Sequence, residues 1–335
     1  MTDRAQPTPS CHPPEVEVLL ATYNSGRYFQ EQIDSLLGQS FDDFRVLIRD
    51  DGSTDGTAEA VARLAAERPE RFARLEDNRR RGACGSFAAL LDAATAPRVM
   101  FCDHDDVWEA EKIARTLAAL EAREAALAGG SSGSSGKSGS SGKSPPVVAF
   151  TDLRIVDENL RTLCPSYWQQ QRIDPRRLAL RQLLSQNVAS GCTMMLNRAM
   201  VELCRPIAPE AVMHDHWVSL VAAAMGHFAY LPEATLLYRQ HGRNVFGAGG
   251  GGWHHLAARF GQGLSAVRER YYKNVRQAKA FLARYGGRLA PPDRQLVEAF
   301  ATLDEQGFVQ RRATLLRHRI FKSGLARNLA TLAIV

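Results

Sequence analysis

Short apolar runs that alternate with helix-forming segments constrain the fold of this chain most strongly. The apolar runs cover residues 16–21, 44–49, 71–76 and 99–102, and Ala-rich or amphipathic segments separate them. This alternation is typical of a parallel sheet with helices on both faces. We therefore predict an α/β protein with a mostly parallel central sheet, and we expect ligands beyond the carboxyl ends of its strands.

Three polar loops follow these predicted strands, at residues 22–26, 50–56 and 103–106. Because the carboxyl ends of parallel strands meet at one edge of a sheet, the loops are expected to form one site. The third loop places Asp103 and Asp105 directly after a buried strand, where carboxylates repel one another unless a cation neutralises them. Mg²⁺ typically binds one or two carboxylates together with substrate phosphates. The alternative is a solvated acidic turn that caps the following helix.

The composition is that of an ordinary globular protein, with 335 residues of which 45% are hydrophobic and 23% charged. No apolar run approaches the ~18 residues that a membrane-spanning helix needs. Residues 1–14 are polar and Pro-rich without the apolar core of a signal peptide, so we expect a disordered lead and a cytoplasmic protein. The six cysteines are scattered without a C-x-x-C pair, which argues against a zinc site and against disulfides.

Further helices and strands are expected along the chain. Helices are predicted at 25–37, 57–67, 86–94, 109–127, 178–184 and 216–225, and strands at 147–151, 191–197, 228–231 and 235–238. Residues 129–146 are rich in Gly and Ser, which indicates a flexible loop within the domain. The glycine run at 247–252 indicates a hinge or lid, and the pattern is helical from residue 256 onward.

Residues 246–335 are interpreted as a basic helical C-terminal region. Residues 253–335 contain 15 Lys and Arg against 5 Asp and Glu, whereas the rest of the chain contains 27 against 31. Basic amphipathic helices bind anionic bilayers, so peripheral contact with a membrane is one interpretation. Helices that pack on the preceding domain with solvated charges are the other. The basic residues lack a recognised nucleic-acid-binding module, so we expect no nucleic acid partner.

Seven short motifs together resemble glycosyltransferase family 2. They are Ala21-Thr22-Tyr23-Asn24, Asp50-Asp51-Gly52-Ser53-Thr54-Asp55, Asn78 with Gly82, Asp103-His104-Asp105-Asp106, Ser190-Gly191-Cys192, His214-Asp215-His216-Trp217 and Tyr238-Arg239-Gln240-His241-Gly242-Arg243-Asn244. Members of this family are inverting nucleotide-sugar transferases with the Rossmann-like GT-A fold. The resemblance covers about residues 15–245, which we assign to one GT-A domain, and it is closest to bacterial rhamnosyltransferase-like members.

The resemblance implies a nucleotide-sugar site in the polar loops. Tyr23 would stack on the nucleobase and Thr22 would hydrogen-bond it, although a half-buried aromatic at a strand end is the alternative for Tyr23. Asp51 would accept a hydrogen bond from a pyrimidine N–H or a ribose hydroxyl. The other expected donor contacts are Asn24, Asn78, Gly82, Asp103, Trp108, Trp217 and Arg239.

Several of these residues carry a specific expectation. Trp108 and Trp217 would wall the sugar or acceptor pocket, with core packing as the alternative for Trp108. Arg239 would contact the diphosphate, as would the run of arginines at 79–81 unless that run is simply a solvated face. Asp106 is expected to cap a helix or orient the sugar.

The resemblance also implies a catalytic base and a metal. Asp215 would act as the general base that deprotonates the acceptor hydroxyl. The alternatives are a helix N-cap for Asp215 or a metal-binding pair formed by His214 and His216. Mg²⁺ or Mn²⁺ would be bound by Asp103, Asp105 and His241, and it would offset the charge on the departing nucleoside diphosphate.

These expectations define a metal-dependent inverting glycosyltransferase. The expected donor is a dTDP- or UDP-sugar, with dTDP-L-rhamnose first, and the expected acceptor is a saccharide or a lipid-linked saccharide of a bacterial surface polysaccharide. The alternatives are a UDP-hexose-dependent transferase of the same fold and a non-catalytic scaffold that binds nucleotides or docks on membranes.

Overall fold

A computed structural model describes residues 13–77, 79–129, 144–241 and 263–335. The strands of these residues are β1 (Val16–Thr22), β2 (Phe44–Asp50), β3 (Phe72–Arg74), β4 (Arg98–Cys102), β5 (Val107–Trp108), β6 (Val147–Val156), β7 (Thr162–Cys164), β8 (Met194–Asn197) and β9 (His227–Arg239). The helices are α1 (Tyr28–Leu37), α2 (Thr57–Glu67), α3 (Gly82–Ala93), α4 (Lys112–Gly129), α5 (Tyr167–Gln171), α6 (Leu180–Leu183), α7 (Arg198–Cys204), α8 (His214–Met225), α9 (Gly263–Tyr285), α10 (Pro291–Ala301), α11 (Phe308–Arg317) and α12 (Leu325–Ile334).

The strands form one sheet in the order β3-β2-β1-β4-β8-β6-β9-β5, with β7 paired to β6. The strands β3, β2, β1 and β4 are parallel neighbours. β8 lies antiparallel between β4 and β6, whereas β6 and β9 are parallel. The sheet is therefore parallel where the three polar loops emerge and mixed beyond β4. This confirms the predicted α/β class, with more antiparallel pairing in the second half than the alternation of elements indicates.

Both faces of the sheet are buried, as its nearly continuous apolar strands require. Successive side chains of a strand point to opposite faces, so Leu19 of β1 enters one core while Val18 and Leu20 enter the other. The first core also contains side chains from α3, α7, α8 and α9, and the second contains side chains from α1 and α4. Helices thus hold the sheet from both sides and leave its carboxyl edge for the polar loops.

The helices α9 and α10 pack on the first core. Trp217 of α8 lies with its ring centroid 5.9 Å from that of Phe281 of α9, and Tyr271 of α9 lies 5.9 Å from Phe300 of α10. The basic helix α9 and the helix α10 therefore follow the packing interpretation of the C-terminal region. The domain boundary near residue 245 stays a prediction. Across the described ranges, no helix combines the length and the apolar character that crossing a membrane requires.

Three differences from the predicted elements have local causes. The strands expected at 228–231 and 235–238 are one strand, β9, whose pairing with β6 slips at Pro232 and Glu233 because proline cannot donate to the ladder. Residues Gly191–Thr193 form a 3-10 turn before β8. The helix expected to begin at a Ser25 cap begins at Tyr28, after Gly26 adopts φ +53°.

Other expectations lie outside the described residues. These are most of the lead at 1–14, most of the Gly/Ser segment, Asn78, and the stretch 242–262 with its glycine run.

Candidate functional site

A cleft of about 1490 Å³ opens at the carboxyl edge of the sheet. Thr22 after β1, Asp51 after β2 and Asp103 after β4 all line it, as the parallel arrangement of these strands requires. Residues from α8 and from the turn before β8 close the opposite side, among them Asp215 and Gly191. The volume exceeds the ~300–1,000 Å³ of a typical small-molecule pocket, so a donor and an acceptor could be held together.

The loop after β1 is tied to the loop after β2. The Thr22 hydroxyl donates to the Asp50 carboxylate at 2.9 Å. Asn24 adopts φ 47°, donates its backbone N–H to the Ser53 hydroxyl at 2.8 Å, and accepts from the Thr54 N–H at 2.8 Å. Thr22 and Asn24 therefore shape this part of the cleft through hydrogen bonds to the protein itself.

Tyr23 and Arg80 form a platform at one end of the cleft. The Arg80 guanidinium donates to the Tyr23 hydroxyl at 2.6 Å and lies 4.6 Å from the centre of its ring. By contrast, Arg79 and Arg81 pair with Asp77 at 3.2 and 2.6 Å. Of the three arginines, Arg80 therefore lines the cleft, whereas Arg79 and Arg81 stabilise the loop that carries them.

Asp51 joins β2 to the beginning of α3. Its carboxylate accepts from the buried Arg49 guanidinium at 2.8 Å and from the backbone N–H groups of Arg81 and Gly82 at 2.7 and 2.8 Å. Burial opposes ionisation of Asp51, but these hydrogen bonds outweigh it and lower the pKa of this carboxyl. Gly82 has φ +68°, a conformation that side chains rarely adopt. Asp51 and Gly82 both line the cleft, while Asn78 lies outside the described residues.

Asp103, Asp105 and His241 all line the cleft. The Nε2 atom of His241 is 2.8 Å from the Asp105 carboxylate, and the His241 ring stacks on Tyr28 at 4.9 Å. Burial raises the pKa of Asp105, but the hydrogen bond and the charge of His241 outweigh it and hold this pKa low. Burial and the nearby Asp105 charge raise the pKa of Asp103 to about 7.

The acidic cluster fits a divalent cation by the chemistry of its donors. Asp103, Asp106 and Cys192 bring ligand atoms within 4.8 Å of one another. One carboxylate oxygen of the fully buried Asp106 has no hydrogen-bond partner among the described residues. Burial keeps the Cys192 pKa well above its ordinary value, so this group is a thiol and not a thiolate ligand. Oxygen ligands crowded in this way suit Mg²⁺ or Mn²⁺.

Asp215 lies in the first turn of α8 and lines the cleft, close enough to the acidic loop for its charge to help raise the pKa of Asp103. Its two carboxylate oxygens accept from the backbone N–H groups of Gly191 at 3.0 Å and of His216 at 2.6 Å. Burial raises the pKa of Asp215 to about 6, against the effect of these hydrogen bonds. A carboxylate with this pKa is ionised at neutral pH and can accept a proton from a hydroxyl in the cleft.

The two histidines beside Asp215 have different neighbours. His214 lies between Phe87 and Phe101, with ring centroids 4.0 and 4.4 Å away, and its nitrogens have no hydrogen-bond partner in the described residues. His216 places Nε2 2.6 Å from the carbonyl oxygen of Leu183. Burial lowers the pKa of His214 to about 3 and that of His216 to about 4. Nothing in this arrangement favours a metal bound between the two imidazoles.

The two tryptophans expected at the donor site lie away from the cleft. Trp217 is fully buried and donates its indole N–H to the Cys204 carbonyl at 3.1 Å, so it packs α8 against α9. Trp108 is buried beside Lys112, whose ammonium lies 4.8 Å from the centre of the indole ring. Both tryptophans therefore pack in the core, which is the alternative given for Trp108.

Arg239 is buried behind the acidic loop and does not reach the cleft. Its guanidinium donates to the backbone carbonyls of Asp105 at 2.9 Å and Glu158 at 2.8 Å, and it pairs with Glu31. The backbone N–H of Arg239 donates to the Asp106 carboxylate at 3.2 Å. Asp106 therefore binds the backbone of β9, whereas a helix cap or a contact to the sugar was expected of it. Arg239 and Asp106 therefore position the acidic loop from below.

The cleft also contains residues that the motifs do not single out. Tyr28 and Glu158 line the side near His241, whereas Tyr167 and Asn187 line the side near Asp215. The amide of Asn187 helps to lower the Asp215 pKa. No local pattern marks these positions, because they reach the cleft from α1, α5 and loops distant in the chain.

Comparisons with known proteins give the family and the fold of the chain. Residues 17–203 match the family model described as Glycosyl transferase family 2, which is more than half of the chain. An uncharacterized glycosyltransferase of Nostoc sp. is 26% identical over 238 residues, covering 69% of this chain and 66% of that relative, just under two thirds. The dTDP-rhamnosyl transferase RfbG of Shigella flexneri is 23% identical over 242 residues, covering 68% of this chain and 74% of that relative.

A solved structure is similar over almost the entire chain. It is the mannosyltransferase from Pyrobaculum calidifontis in complex with GDP-Man and Mn²⁺, with 19% identity and a TM-score of 0.50. The similarity covers 96% of this chain and 79% of that one. At this identity the likeness concerns the fold alone.

Proposed function

The chain belongs to glycosyl transferase family 2, and we propose that it transfers a sugar from a nucleoside diphosphate donor to a saccharide acceptor with inversion at the anomeric carbon. One observation carries the proposal. A single cleft brings together an aromatic platform at Tyr23, the acidic loop at 103–106 and the carboxylate of Asp215. A nucleotide-sugar transferase needs a place for the base, a place for the diphosphate and a base for the acceptor hydroxyl.

The nucleoside would bind at the end of the cleft that holds Tyr23 and Arg80. The exposed Tyr23 ring offers a face for stacking, and Arg80 steadies it through a hydrogen bond and a cation–π contact. Asp51 stays ionised at neutral pH because its pKa is lowered, so it accepts hydrogen bonds from the base or ribose. Thr22, Asn24, Asn78 and Gly82 complete the proposed nucleotide contacts.

The diphosphate would bind beside the acidic loop through Mg²⁺ or Mn²⁺. Asp103, Asp105 and His241 are the proposed ligands, and all three side chains line the cleft. When bound, the cation supplies positive charge that offsets the charge developing on the leaving nucleoside diphosphate. The Pyrobaculum mannosyltransferase was solved with Mn²⁺, which supports a divalent cation in this role.

Asp215 is the proposed general base. It accepts the proton of the acceptor hydroxyl while that oxygen attacks the anomeric carbon, and the bond from this carbon to the diphosphate oxygen breaks. The backbone N–H groups of Gly191 and His216 hold the carboxylate in place for this transfer. One displacement of this kind inverts the anomeric centre, and the nucleoside diphosphate leaves with the electron pair.

We propose dTDP-L-rhamnose as the donor and a saccharide or lipid-linked saccharide of a bacterial surface polysaccharide as the acceptor. The dTDP-rhamnosyl transferase of Shigella flexneri supports this donor through similarity over 68% of the chain. A UDP-hexose is the second candidate, because the residues that line the cleft do not by themselves select the sugar.

The test is a donor screen with Mn²⁺, in which release of nucleoside diphosphate from dTDP-rhamnose, UDP-glucose and GDP-mannose is measured. We expect release from dTDP-rhamnose, increased by saccharide acceptors, and none after Asp215→Asn. Release from UDP-glucose alone would support sugar transfer but would replace dTDP-rhamnose by a UDP-hexose as the proposed donor. No release from any donor, with Asp215→Asn indistinguishable from the wild type, would favour a nucleotide-binding scaffold.

A further inference from the structure

Exposed apolar side chains are concentrated on the last two helices. In the described part of the chain, nine large apolar side chains are exposed, and five of them belong to α11 and α12. They are Phe308 (61%), Val309 (76%), Leu316 (53%), Leu325 (75%) and Leu329 (59%). We call these five residues the α11–α12 surface. Scattered exposed leucines need no explanation, but a contiguous group on neighbouring helices marks a contact site.

One side chain links the two helices that carry these residues. Phe308, Arg312 and Leu316 are four residues apart and share one face of α11, as Leu325 and Leu329 do on α12. The Arg312 guanidinium lies 3.3 Å from the centre of the Phe308 ring and donates to the Ala333 carbonyl of α12 at 3.5 Å. Arg312 therefore connects the apolar face of α11 to the end of α12.

The helix α12 is held on one side only: Arg327 donates to the backbone carbonyl and the side-chain oxygen of Gln171 at 2.9 Å, and Leu332 packs against the first core, whereas Leu325 and Leu329 stay exposed. Across the described ranges, none of its residues is buried. Isolated helices of about ten residues are marginal in water and owe their stability to packing of an apolar face. By contrast, α11 buries Leu315 against the protein while Leu316 faces outward. A surface that covers Leu325 and Leu329 would stabilise α12.

The charge of residues 308–335 indicates the kind of partner that covers the α11–α12 surface. Residues 308–335 contain six Lys and Arg and no Asp or Glu. A second copy of this chain would place the same cationic surface opposite itself, which charge repulsion disfavours. Anionic phospholipids complement both features, since the leucines would enter the boundary of head groups and acyl chains while the exposed Arg317 and Arg319 would meet phosphates.

We infer that the α11–α12 surface docks on an anionic phospholipid bilayer, with Leu325 and Leu329 inserted. The inference does not depend on the proposed sugar transfer, because it rests on the exposed apolar residues and the charge of residues 308–335. If both hold, docking would keep the cleft close to acceptors anchored in the membrane.

The test is co-sedimentation of the full chain with vesicles of 70% phosphatidylcholine and 30% phosphatidylglycerol, and with vesicles of phosphatidylcholine alone. We expect binding to the anionic vesicles that falls as salt is added. Replacing Leu325 and Leu329 together by serine should lower the partition coefficient at least about tenfold, since each loses a buried apolar side chain. The matched control is Leu163→Ser on β7, which is 60% exposed and lies outside this surface; it should bind as the wild type does.

Three results would overturn the inference. They are no binding to anionic vesicles, equal binding by the double serine variant and the wild type, and a self-association in sedimentation velocity that the double variant abolishes. The melting temperature of each variant shows that a loss of binding is not a loss of fold. Because vesicle binding needs no nucleotide sugar, its outcome is separate from that of the donor screen.

Discussion

The two ends of the cleft differ in how far the protein satisfies its own polar groups. At the end proposed for the nucleoside, here called the nucleoside end, Asp51 accepts three hydrogen bonds between 2.7 and 2.8 Å, and its pKa is lowered. At the acidic end, the pKa of Asp103 is raised to about 7, and a buried oxygen of Asp106 has no partner among the described residues. The nucleoside end is preorganised, whereas the acidic end is an arrangement of charges that a bound cation would stabilise.

This contrast teaches which substitutions should affect folding and which should affect chemistry. A residue whose hydrogen bonds are complete contributes to stability, and its loss leaves a partner buried without compensation. A residue whose charge is uncompensated costs stability and is retained for what it binds or transfers.

Asp215→Asn should have the largest effect on chemistry. The amide cannot accept the acceptor proton, so kcat should fall about 10³-fold, within the range for loss of a general base. The dissociation constant of dTDP should stay within about twofold, because Asp215 is proposed to contact the acceptor hydroxyl and not the nucleotide. Both quantities are measured, by steady-state kinetics and calorimetry, with the partly exposed Asp174→Asn as the control. A variant that keeps its kcat would remove Asp215 from the mechanism.

Asp51→Asn should mainly lower stability. The buried Arg49 would keep only the more distant carboxylate of Asp77, at 3.6 Å, so the loss should approach but not exceed the about 3–5 kcal/mol of a broken buried pair. Because the Asp51 pKa is lowered by folding, this contribution is present at neutral pH and is lost as the pH falls through the folded pKa. Urea unfolding at pH 7 measures the change. The exposed pair of Arg74 and Glu76 offers the control, since Glu76→Gln should change the unfolding free energy by less than about 1 kcal/mol.

Asp105→Asn should remove the effect of metal on nucleotide binding. In the wild type, Mn²⁺ should strengthen dTDP binding by about tenfold or more and raise the melting temperature, since metal that binds only the folded state stabilises it. The variant should lose both effects while binding dTDP without metal as the wild type does. An unchanged response to Mn²⁺ would remove Asp105 from the metal site and leave the carboxylates of Asp103 and Asp106 as its candidate ligands.

The pH profile should report Asp215. With Mn²⁺ saturating, kcat should fall about tenfold for each pH unit below about 6, because the protonated base cannot accept a second proton. Asp103, Tyr167 and Cys84 are titratable groups that interact with the Asp215 charge, and burial raises the pKa of each. A kcat that is constant from pH 7 to pH 5 would contradict the assignment.

Arg80→Ala should have the smallest effect. Loss of the cation–π contact and of the hydrogen bond to Tyr23 should weaken dTDP binding about fivefold and leave kcat nearly unchanged. Arg79→Ala is the matched control, because Arg79 pairs with Asp77 on the same loop. Equal effects of the two variants would show that the loop matters and the platform does not.

Much of the fold follows from the sequence for local reasons. The helix at Thr57–Glu67 and the apolar strands that end at residues 22, 50 and 102 depend on patterns within about ten residues, and the structure places them near their predicted bounds. The polar loops converge because parallel strands end at one edge. The antiparallel pairing of β8 with β4 and β6 joins segments that are distant in the chain, and no local pattern indicates it.

At the site too, local patterns do not indicate contacts between segments that are distant in the chain. A motif indicates that Trp217 and Arg239 stand near the acidic loop and Asp215, but it does not indicate which way their side chains point. Trp217 packs against Phe281 of α9, and Arg239 pairs with Glu31 of α1. Each of these contacts joins two residues that are distant in the sequence. Arg80 stands out from its two neighbours only when Tyr23 and Asp77 are placed around them.

Calorimetric titration with dTDP, UDP and GDP, each with and without Mn²⁺, tests the central claim most directly. We expect that dTDP binds, that Mn²⁺ strengthens its binding, and that Asp105→Asn abolishes this increase. Preference for UDP with the same metal dependence would change only the donor. Failure of all three nucleotides to bind, with or without Mn²⁺, would contradict the assignment of the cleft to a nucleotide sugar.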